Sequence, residues 1–157
     1  MKVNRIEIDY YPFSIGKRGE WMLITDCIHP KILEVVASCG HGDKILIADG
    51  NYPLSSCTHE DTTKVFLGLS PNLPQVTDVL TVLKKTVNFE KYEVMQPDSG
   101  EEPEIFEEFR SILGTSSLQK SGRFEFYEAA REKNVILGIN TGETRTYANI
   151  LLTVGVR

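Results

Sequence analysis

Apolar residues recur along this chain at two spacings, one typical of helices and one typical of short strands. Some segments repeat apolar side chains every three or four residues, which predicts amphipathic helices. These helices are expected at residues 30–38, 75–87, 103–113 and 124–132. Compact aliphatic runs predict strands at residues 44–48, 65–69, 92–95, 135–139 and 150–154. Helices that alternate with strands indicate an α/β domain built of layers.

The beginning of the chain differs from the rest in pattern. Residues 1–21 mix charged and aromatic residues, and Met22 offers a second start. The segment Lys17–Glu20 is purine-rich in most codon choices, as a translated ribosome-binding site would be. Two interpretations stay open: an N-terminal arm at 1–21, or sequence upstream of a true start at Met22. In both, residues 22–157 form the domain.

Composition and charge exclude several classes of partner. The 157 residues suit a single domain, and a net charge of −5 without a Lys/Arg block argues against nucleic acid and anionic membranes. No apolar run is long enough to span a bilayer, and the N-terminus has no apolar signal region. Three cysteines, an odd and low number, indicate free thiols. We therefore expect a cytoplasmic protein.

A histidine and a carboxylate flank the first predicted strand. His41 lies between Gly40 and Gly42, where the backbone can turn tightly, and Asp49 follows the strand. Ligands of open α/β sheets bind at the carboxyl ends of strands, which favours Asp49 as a ligand contact. The alternative is structural: His41 caps the preceding helix and Asp49 caps the following turn.

Two further groups of residues combine aromatic and polar side chains. Arg123 and Tyr127 are four apart, so a helix places them on one face, where they could grip hydroxyl groups. Tyr147 and Asn149 follow the polar segment 141–144 and alternate as in a strand, so both could point to one face. A phenol and an amide suit sugar hydroxyls, which donate and accept. Solvated helical charges and a plain turn are the structural alternatives.

A metal site fits the sequence poorly. Cys39 with His41 and Cys57 with His59 resemble paired ligands, but zinc sites usually space cysteines two to four apart and need four ligands. The chain also has no phosphate-binding glycine motif and no Gly-x-Ser-x-Gly elbow. We therefore expect neither a metal nor a cofactor.

Taken together, these motifs resemble the ribose pyranase and fucose mutarotase family over about residues 22–157. The resemblance rests on the following segments, in chain order: His29-Pro30-x-Ile32-Leu33, Gly40-His41-Gly42-Asp43, Ala48-Asp49-Gly50-Asn51-Tyr52-Pro53, Arg123-Phe124-x-Phe126-Tyr127-Glu128, Thr141-Gly142-Glu143 and Tyr147-Ala148-Asn149-Ile150-Leu151-Leu152. It implies an α/β domain with a Rossmann-like sheet flanked by helices. It also implies rings of identical chains, commonly decamers, with a monosaccharide site near each subunit boundary and no cofactor.

The resemblance assigns roles to individual residues. His41 matches the general acid, and the sugar-contacting positions match Asp49, Arg123, Tyr147 and Asn149. Tyr127 matches a second tyrosine of the fucose branch, and the base is left open between Tyr127 and Tyr147. Rings of Tyr52 and Tyr127 are expected to cover apolar sugar faces.

The resemblance favours an L-fucose mutarotase, because the ribose branch typically has a histidine near the position of Arg123. Tyr147-Ala148-Asn149 resembles the ribose branch as much as the fucose branch. The alternatives are a D-ribose pyranase, and a ring that binds sugar without catalysis.

Overall fold

A computed structural model describes residues 22–156, so the expected arm at 1–21 lies outside the described residues. This part of the chain contains four helices, α1 Pro30–Ser38, α2 Val76–Thr86, α3 Ile105–Leu113 and α4 Arg123–Ala130. Its six strands are β1 Lys44–Ala48, β2 Thr63–Phe66, β3 Phe89–Met95, β4 Gln119–Ser121, β5 Val135–Asn140 and β6 Ile150–Val154. None of the described helices is long and apolar enough to cross a membrane.

The six strands form one sheet in the order β2-β5-β1-β6-β3-β4. Five strands run parallel to one another, whereas β6 runs antiparallel between β1 and β3. The register pairs Ile47 of β1 with Ile150 of β6, and Lys44 with Thr153. The carboxyl end of β1 therefore lies beside the beginning of β6.

Hydrophobic cores cover both faces of the sheet, so the α/β layered fold predicted from the sequence is confirmed. On one face, α1, α2 and α3 pack against alternate residues of β1 and β6, among them Ile45 and Ile47. On the other face, Phe126 and Ala130 of α4 pack with Leu46 and the segment 52–57. Because β1 is buried along its whole length, both of its ends are fixed in position.

The ends of the helices follow from local capping. Pro30 takes the first position of α1, and the Nδ1 of His29 accepts a hydrogen bond from the Ile32 amide at 3.3 Å. At the start of α2, the Asp78 carboxylate accepts a hydrogen bond from the Gln75 backbone N–H at 2.8 Å. Gly114 ends α3 with φ of 67°, the left-handed conformation that glycine adopts without strain.

Two features of the sheet depart from the sequence prediction. The short strand β4 was not predicted, because its three residues are mostly exposed and carry no apolar periodicity. The reversed direction of β6 was not predicted either, because a buried aliphatic run has the same pattern in either direction.

We expect Phe126→Ala to lower the free energy of unfolding by about 3–5 kcal/mol, because it empties a fully buried site under α4. Phe124→Ala is the matched control in the same helix. The Phe124 side chain is 75% exposed, so its removal should change the free energy of unfolding by less than about 1 kcal/mol. Urea denaturation followed by circular dichroism measures both. Equal losses in the two variants would contradict this assignment of the packed face.

Candidate functional site

The end of β1 and the beginning of β6 are joined by a buried pair of polar side chains. The Asn149 amide oxygen accepts a hydrogen bond from the Asp49 backbone N–H at 2.9 Å. The Asn149 Nδ2 donates to the Asp49 carboxylate at 3.1 Å. Both residues are almost fully buried. Two residues that are 100 positions apart in sequence thus form one unit at the carboxyl edge of β1.

The Asp49 carboxyl group is held in a dry but polar setting. Burial raises the pKa of Asp49 above its usual value, and hydrogen bonds from Asn51, Ala148 and Asn149 oppose this rise. The Asn51 backbone N–H donates to the carboxylate at 2.8 Å, so Asp49 does cap the following turn, as the structural alternative predicted. This cap and the contact with Asn149 use both carboxylate oxygens, each of which retains lone pairs.

Helix α4 places Arg123 and Tyr127 together on one face, as their spacing predicts. The Arg123 Nε donates a hydrogen bond to the Tyr127 hydroxyl oxygen at 3.2 Å, and the guanidinium carbon lies 5.6 Å from the ring centroid. This hydrogen bond is the main reason that the pKa of Arg123 is raised. Because Tyr127 accepts from Arg123, its own hydroxyl hydrogen is available to a ligand.

Tyr52 lies beneath this pair rather than at the surface. Its side chain is buried, its hydroxyl donates to the Cys57 carbonyl at 3.1 Å, and its ring packs edge-on against Tyr127 at 5.5 Å. Burial is the main cause that raises the pKa of Tyr52, so its phenol stays protonated. The expectation that Tyr52 covers a sugar face is wrong, because the ring supports Tyr127 from within the core.

Tyr147 lies in a turn, and the prediction that it alternates with Asn149 in a strand is wrong. Its φ is 59°, a left-handed conformation that is uncommon for a residue with a side chain, and β6 begins only at Ile150. The Tyr147 ring is half-buried and packs on the same cluster as Tyr127. Arg123 also interacts electrostatically with Tyr147. The turn therefore directs this phenol towards α4.

The segment that carries Tyr147 and Asn149 is tied to the end of β1. The Thr141 hydroxyl donates to the Ala48 carbonyl at 2.9 Å, and the Gly50 N–H donates to the Glu143 carbonyl at 2.8 Å. These bonds hold both sides of the polar segment 141–144 against the strand end.

An ion pair between a buried carboxylate and a partly exposed arginine also holds this segment. The Glu143 side chain is fully buried, and Arg145 binds it through Nε at 2.9 Å and reaches Glu108 of α3 at 2.5 Å. Burial acts to raise the pKa of Glu143, but the hydrogen bonds from Arg145 outweigh it and hold that pKa below its usual value. The carboxylate therefore stays ionised at neutral pH and anchors the turn before Tyr147.

His41 lies at the opposite edge of the sheet. The neighbouring Gly42 N–H donates to the Val154 carbonyl at the end of β6, so His41 lies at the amino end of β1. A five-residue strand spans roughly 16 Å. Within one chain, the structure thus brings together Asp49, Arg123, Tyr127, Tyr147 and Asn149, and it leaves His41 apart from them.

Sequence reasoning missed the residues that hold the site in shape. Glu143 was noted only as part of a motif, and nothing local in the sequence indicates that Arg145 joins it to Glu108, 37 residues away. Gly142 is a second example, because a Cβ there would lie 2.4 Å from the Ser70 carbonyl oxygen. Among residues 22–156, no three His, Cys, Asp or Glu side chains are grouped so that they could hold a metal ion.

Comparison with known proteins finds relatives over most of the chain. Residues 22–157 match the RbsD / FucU transport protein family. The chain is 32% identical over 139 residues to the fucose mutarotase of Homo sapiens, covering 82% of this chain and 89% of that protein. It is 29% identical over 132 residues to the D-ribose pyranase of Coprothermobacter proteolyticus, covering 84% of this chain and 96% of that protein. The fold matches Bacillus subtilis RbsD complexed with D-ribose with a TM-score of 0.73 and 27% identity, over 83% of this chain and 95% of that one.

We expect Asn149→Ala to lower the free energy of unfolding by about 1–3 kcal/mol, because it leaves the buried Asp49 N–H without its partner. Asn88→Ala is the control, since its amide donates to the Val156 carbonyl at an exposed position, and should cost less than about 1 kcal/mol. Thermal and urea unfolding measure both variants. Wild-type stability in Asn149→Ala would contradict the structural role of the pair.

The Glu143 ion pair predicts a pH dependence of stability. A carboxyl with a lowered folded pKa stabilises the protein above its unfolded value of 4.5, and this contribution is lost as pH falls through the folded pKa. At pH 7, Glu143→Gln should lower the free energy of unfolding by about 1–2 kcal/mol. The expected loss is this small because Arg145 is partly exposed, so solvent screens the ion pair. The difference from wild type should shrink below pH 4.5. Glu128→Gln, an exposed ion-pair control, should show little change at either pH. A Glu143→Gln deficit that is constant with pH would contradict the charge effect.

Proposed function

The chain belongs to the RbsD / FucU transport protein family, and from this premise we propose that it is a sugar mutarotase. It would interconvert the α and β anomers of a free monosaccharide, with L-fucose as the favoured sugar. Relatives named fucose mutarotase and D-ribose pyranase support a carbohydrate isomerase.

The observation that carries the proposal is the group of polar and aromatic side chains around the Asp49–Asn149 pair. A neutral sugar offers hydroxyls that donate and accept, and this edge offers both kinds of partner. Arg123 supplies donors, Asp49 supplies acceptors, and the phenols of Tyr127 and Tyr147 supply both. The aromatic rings also suit the apolar face of a pyranose.

The proposed role of His41 as the acid needs a second copy of the chain. A single sugar cannot touch both Asp49 and His41 across the length of β1, so we propose that the acid comes from a neighbouring subunit. His41 suits this role because its ring is exposed at the amino edge rather than packed in the core. This arrangement agrees with sites near subunit boundaries, which the resemblance implied, and with a ring of identical chains, in which we expect ten.

The proposed reaction needs two coordinated proton transfers and no cofactor. As the bond between C1 and the ring oxygen breaks, a protonated His41 gives its proton to that oxygen. As the base, Tyr127 or Tyr147 accepts the proton of the anomeric hydroxyl and passes its own phenol proton to water, which leaves an open-chain aldehyde. Rotation about the C1–C2 bond and the reverse transfers close the ring on the other face. Asp49, Arg123 and Asn149 would hold the sugar during the cycle.

The preference for L-fucose rests on α4. This helix has Arg123 and the run Phe124-x-Phe126-Tyr127, which resemble the fucose branch. D-ribose pyranase is the second candidate, because Tyr147-Ala148-Asn149 resembles the ribose branch equally and the similar RbsD structure holds D-ribose.

The experiment is saturation-transfer NMR of L-fucose and D-ribose with wild type, His41→Ala and His59→Ala. Wild type should speed anomer exchange of L-fucose more than ring exchange of D-ribose. His41→Ala should reduce the enzyme-dependent rate by about 10²–10⁴-fold, the usual contribution of a general acid, while folding and assembly persist. His59→Ala is the matched control, because the side chain of this histidine pairs with Asp61 in the same loop, and the variant should keep full activity.

The outcomes separate the candidate functions. Faster exchange of D-ribose than of L-fucose would favour the pyranase. Sugar binding by wild type without any exchange would favour a non-catalytic binding ring. Undiminished exchange with His41→Ala would remove this histidine from the mechanism.

A further inference from the structure

His41 has one polar side-chain partner in the described part of the chain, and it is the carboxylate of Glu90. The His41 Nε2 lies 2.8 Å from the Glu90 Oε1, a hydrogen-bond distance, and the two residues are 49 positions apart. Glu90 belongs to β3, and β6 separates this strand from β1 in the sheet. The fold thus brings an acidic residue from a distant segment to the imidazole.

The backbone around His41 is held on both sides. Before it, the Gly40 N–H donates to the Asp43 carboxylate at 2.7 Å. After it, the Gly42 N–H donates to the Val154 carbonyl at 2.9 Å, and the Gly42 carbonyl accepts from the Asn134 amide at 2.9 Å. With the turn fixed in this way, the orientation of the imidazole depends on its side-chain contact with Glu90.

The last residues of the described chain leave room for Glu90 to reach His41. Gly155 lies just after β6. A Cβ at this position would lie 3.2 Å from the Glu90 Cβ and 3.4 Å from its Oε2, so the absence of a side chain leaves space for Glu90. The Gly155 N–H also donates to the Asn88 carbonyl at 2.9 Å, which aligns the beginning of β3 with this segment. The Glu90 side chain therefore crosses a narrow gap towards the turn of His41.

From this geometry we infer that Glu90 is a positioning residue for His41, an inference that rests on the proposed function. A carboxylate only accepts hydrogen bonds, so the Nε2 of His41 must carry the hydrogen between them. The other ring nitrogen, Nδ1, then faces away from Glu90 and exchanges its proton with the sugar ring oxygen. Because the acceptor is a carboxylate, this hydrogen bond is stronger than one to a neutral group, and it holds the tautomer and the ring orientation. The Nδ1 proton moves to the ring oxygen on opening and returns on closure.

A positioning role and a merely structural role predict different kinetics. The pair is about half exposed, and exposed ion pairs contribute little to stability, so its loss should not unfold the protein. Glu90→Ala should lower kcat by about tenfold or more and leave KM within about twofold, since an orienting partner outside the sugar site acts on proton transfer. Glu90→Asp, which restores the carboxylate, should return kcat to within about threefold of wild type. Glu90→Gln keeps an acceptor without the charge and should fall between Glu90→Ala and wild type.

The test measures kcat and KM of the assembled protein with whichever sugar the wild type exchanges faster, together with the unfolding temperature of each variant. Glu34→Gln is the matched control, because it removes another exposed carboxylate in an ion pair, with Lys31, and should keep wild-type kinetics. Full activity in Glu90→Ala would overturn the inference. So would an equal loss in Glu90→Ala and Glu90→Asp together with a lowered unfolding temperature, which indicates a structural role.

The His41→Ala variant separates this inference from the proposed function. If His41→Ala is inactive while Glu90→Ala is fully active, His41 acts without Glu90 and only the present inference fails. If His41→Ala is itself fully active, the catalytic role of His41 fails, and the role of Glu90 fails with it. Loss of activity in both, with rescue by Glu90→Asp, supports the pair.

Discussion

The hydrogen bonds between Asp49 and Asn149 are the contact on which the candidate site depends. They join the first residue after β1 to the residue just before β6, and both side chains are almost completely buried. Buried polar groups are costly without partners, so each of these two residues stabilises the other at this edge. Because Tyr147 precedes Asn149 by two residues, the same contact also fixes where the phenol of Tyr147 can lie. The buried pair thus links the ends of two strands and lies at the base of the candidate site.

The reversed direction of β6 explains why these groups meet. In a wholly parallel sheet, the residue before β6 would lie at the amino edge, next to His41 and far from Asp49. The antiparallel strand instead brings Asn149 to the carboxyl edge, where β4 also ends and α4 begins at Arg123. One change of strand direction therefore gathers groups from three segments of the chain at one edge. The ion pair of Glu143 with Arg145 then holds the connecting turn in place.

The sequence predicts elements well where periodicity is strong and contacts poorly where they are distant. The helices α2 and α3 follow from their apolar spacing, and the contact of Arg123 with Tyr127 follows from helical geometry alone. The left-handed turn at Tyr147 could not be predicted in this way, because no glycine marks it. Distant partners are a further limit, since the contact of His41 with Glu90 depends on the order of strands in the sheet and not on any local pattern.

The separation of His41 from the other candidate residues has a consequence for assembly. If the acid of one copy serves the sugar site of the next, the amino edge of one subunit must meet the carboxyl edge of another. Where this contact repeats head to tail it is heterologous, and repeated heterologous contacts close into rings when the rotation between copies permits it. In such a ring every subunit would both donate and receive a histidine, so assembly would complete the site of each subunit. The two ends of β1 would belong to two different active sites, and the rigidity of this buried strand would keep both of them aligned.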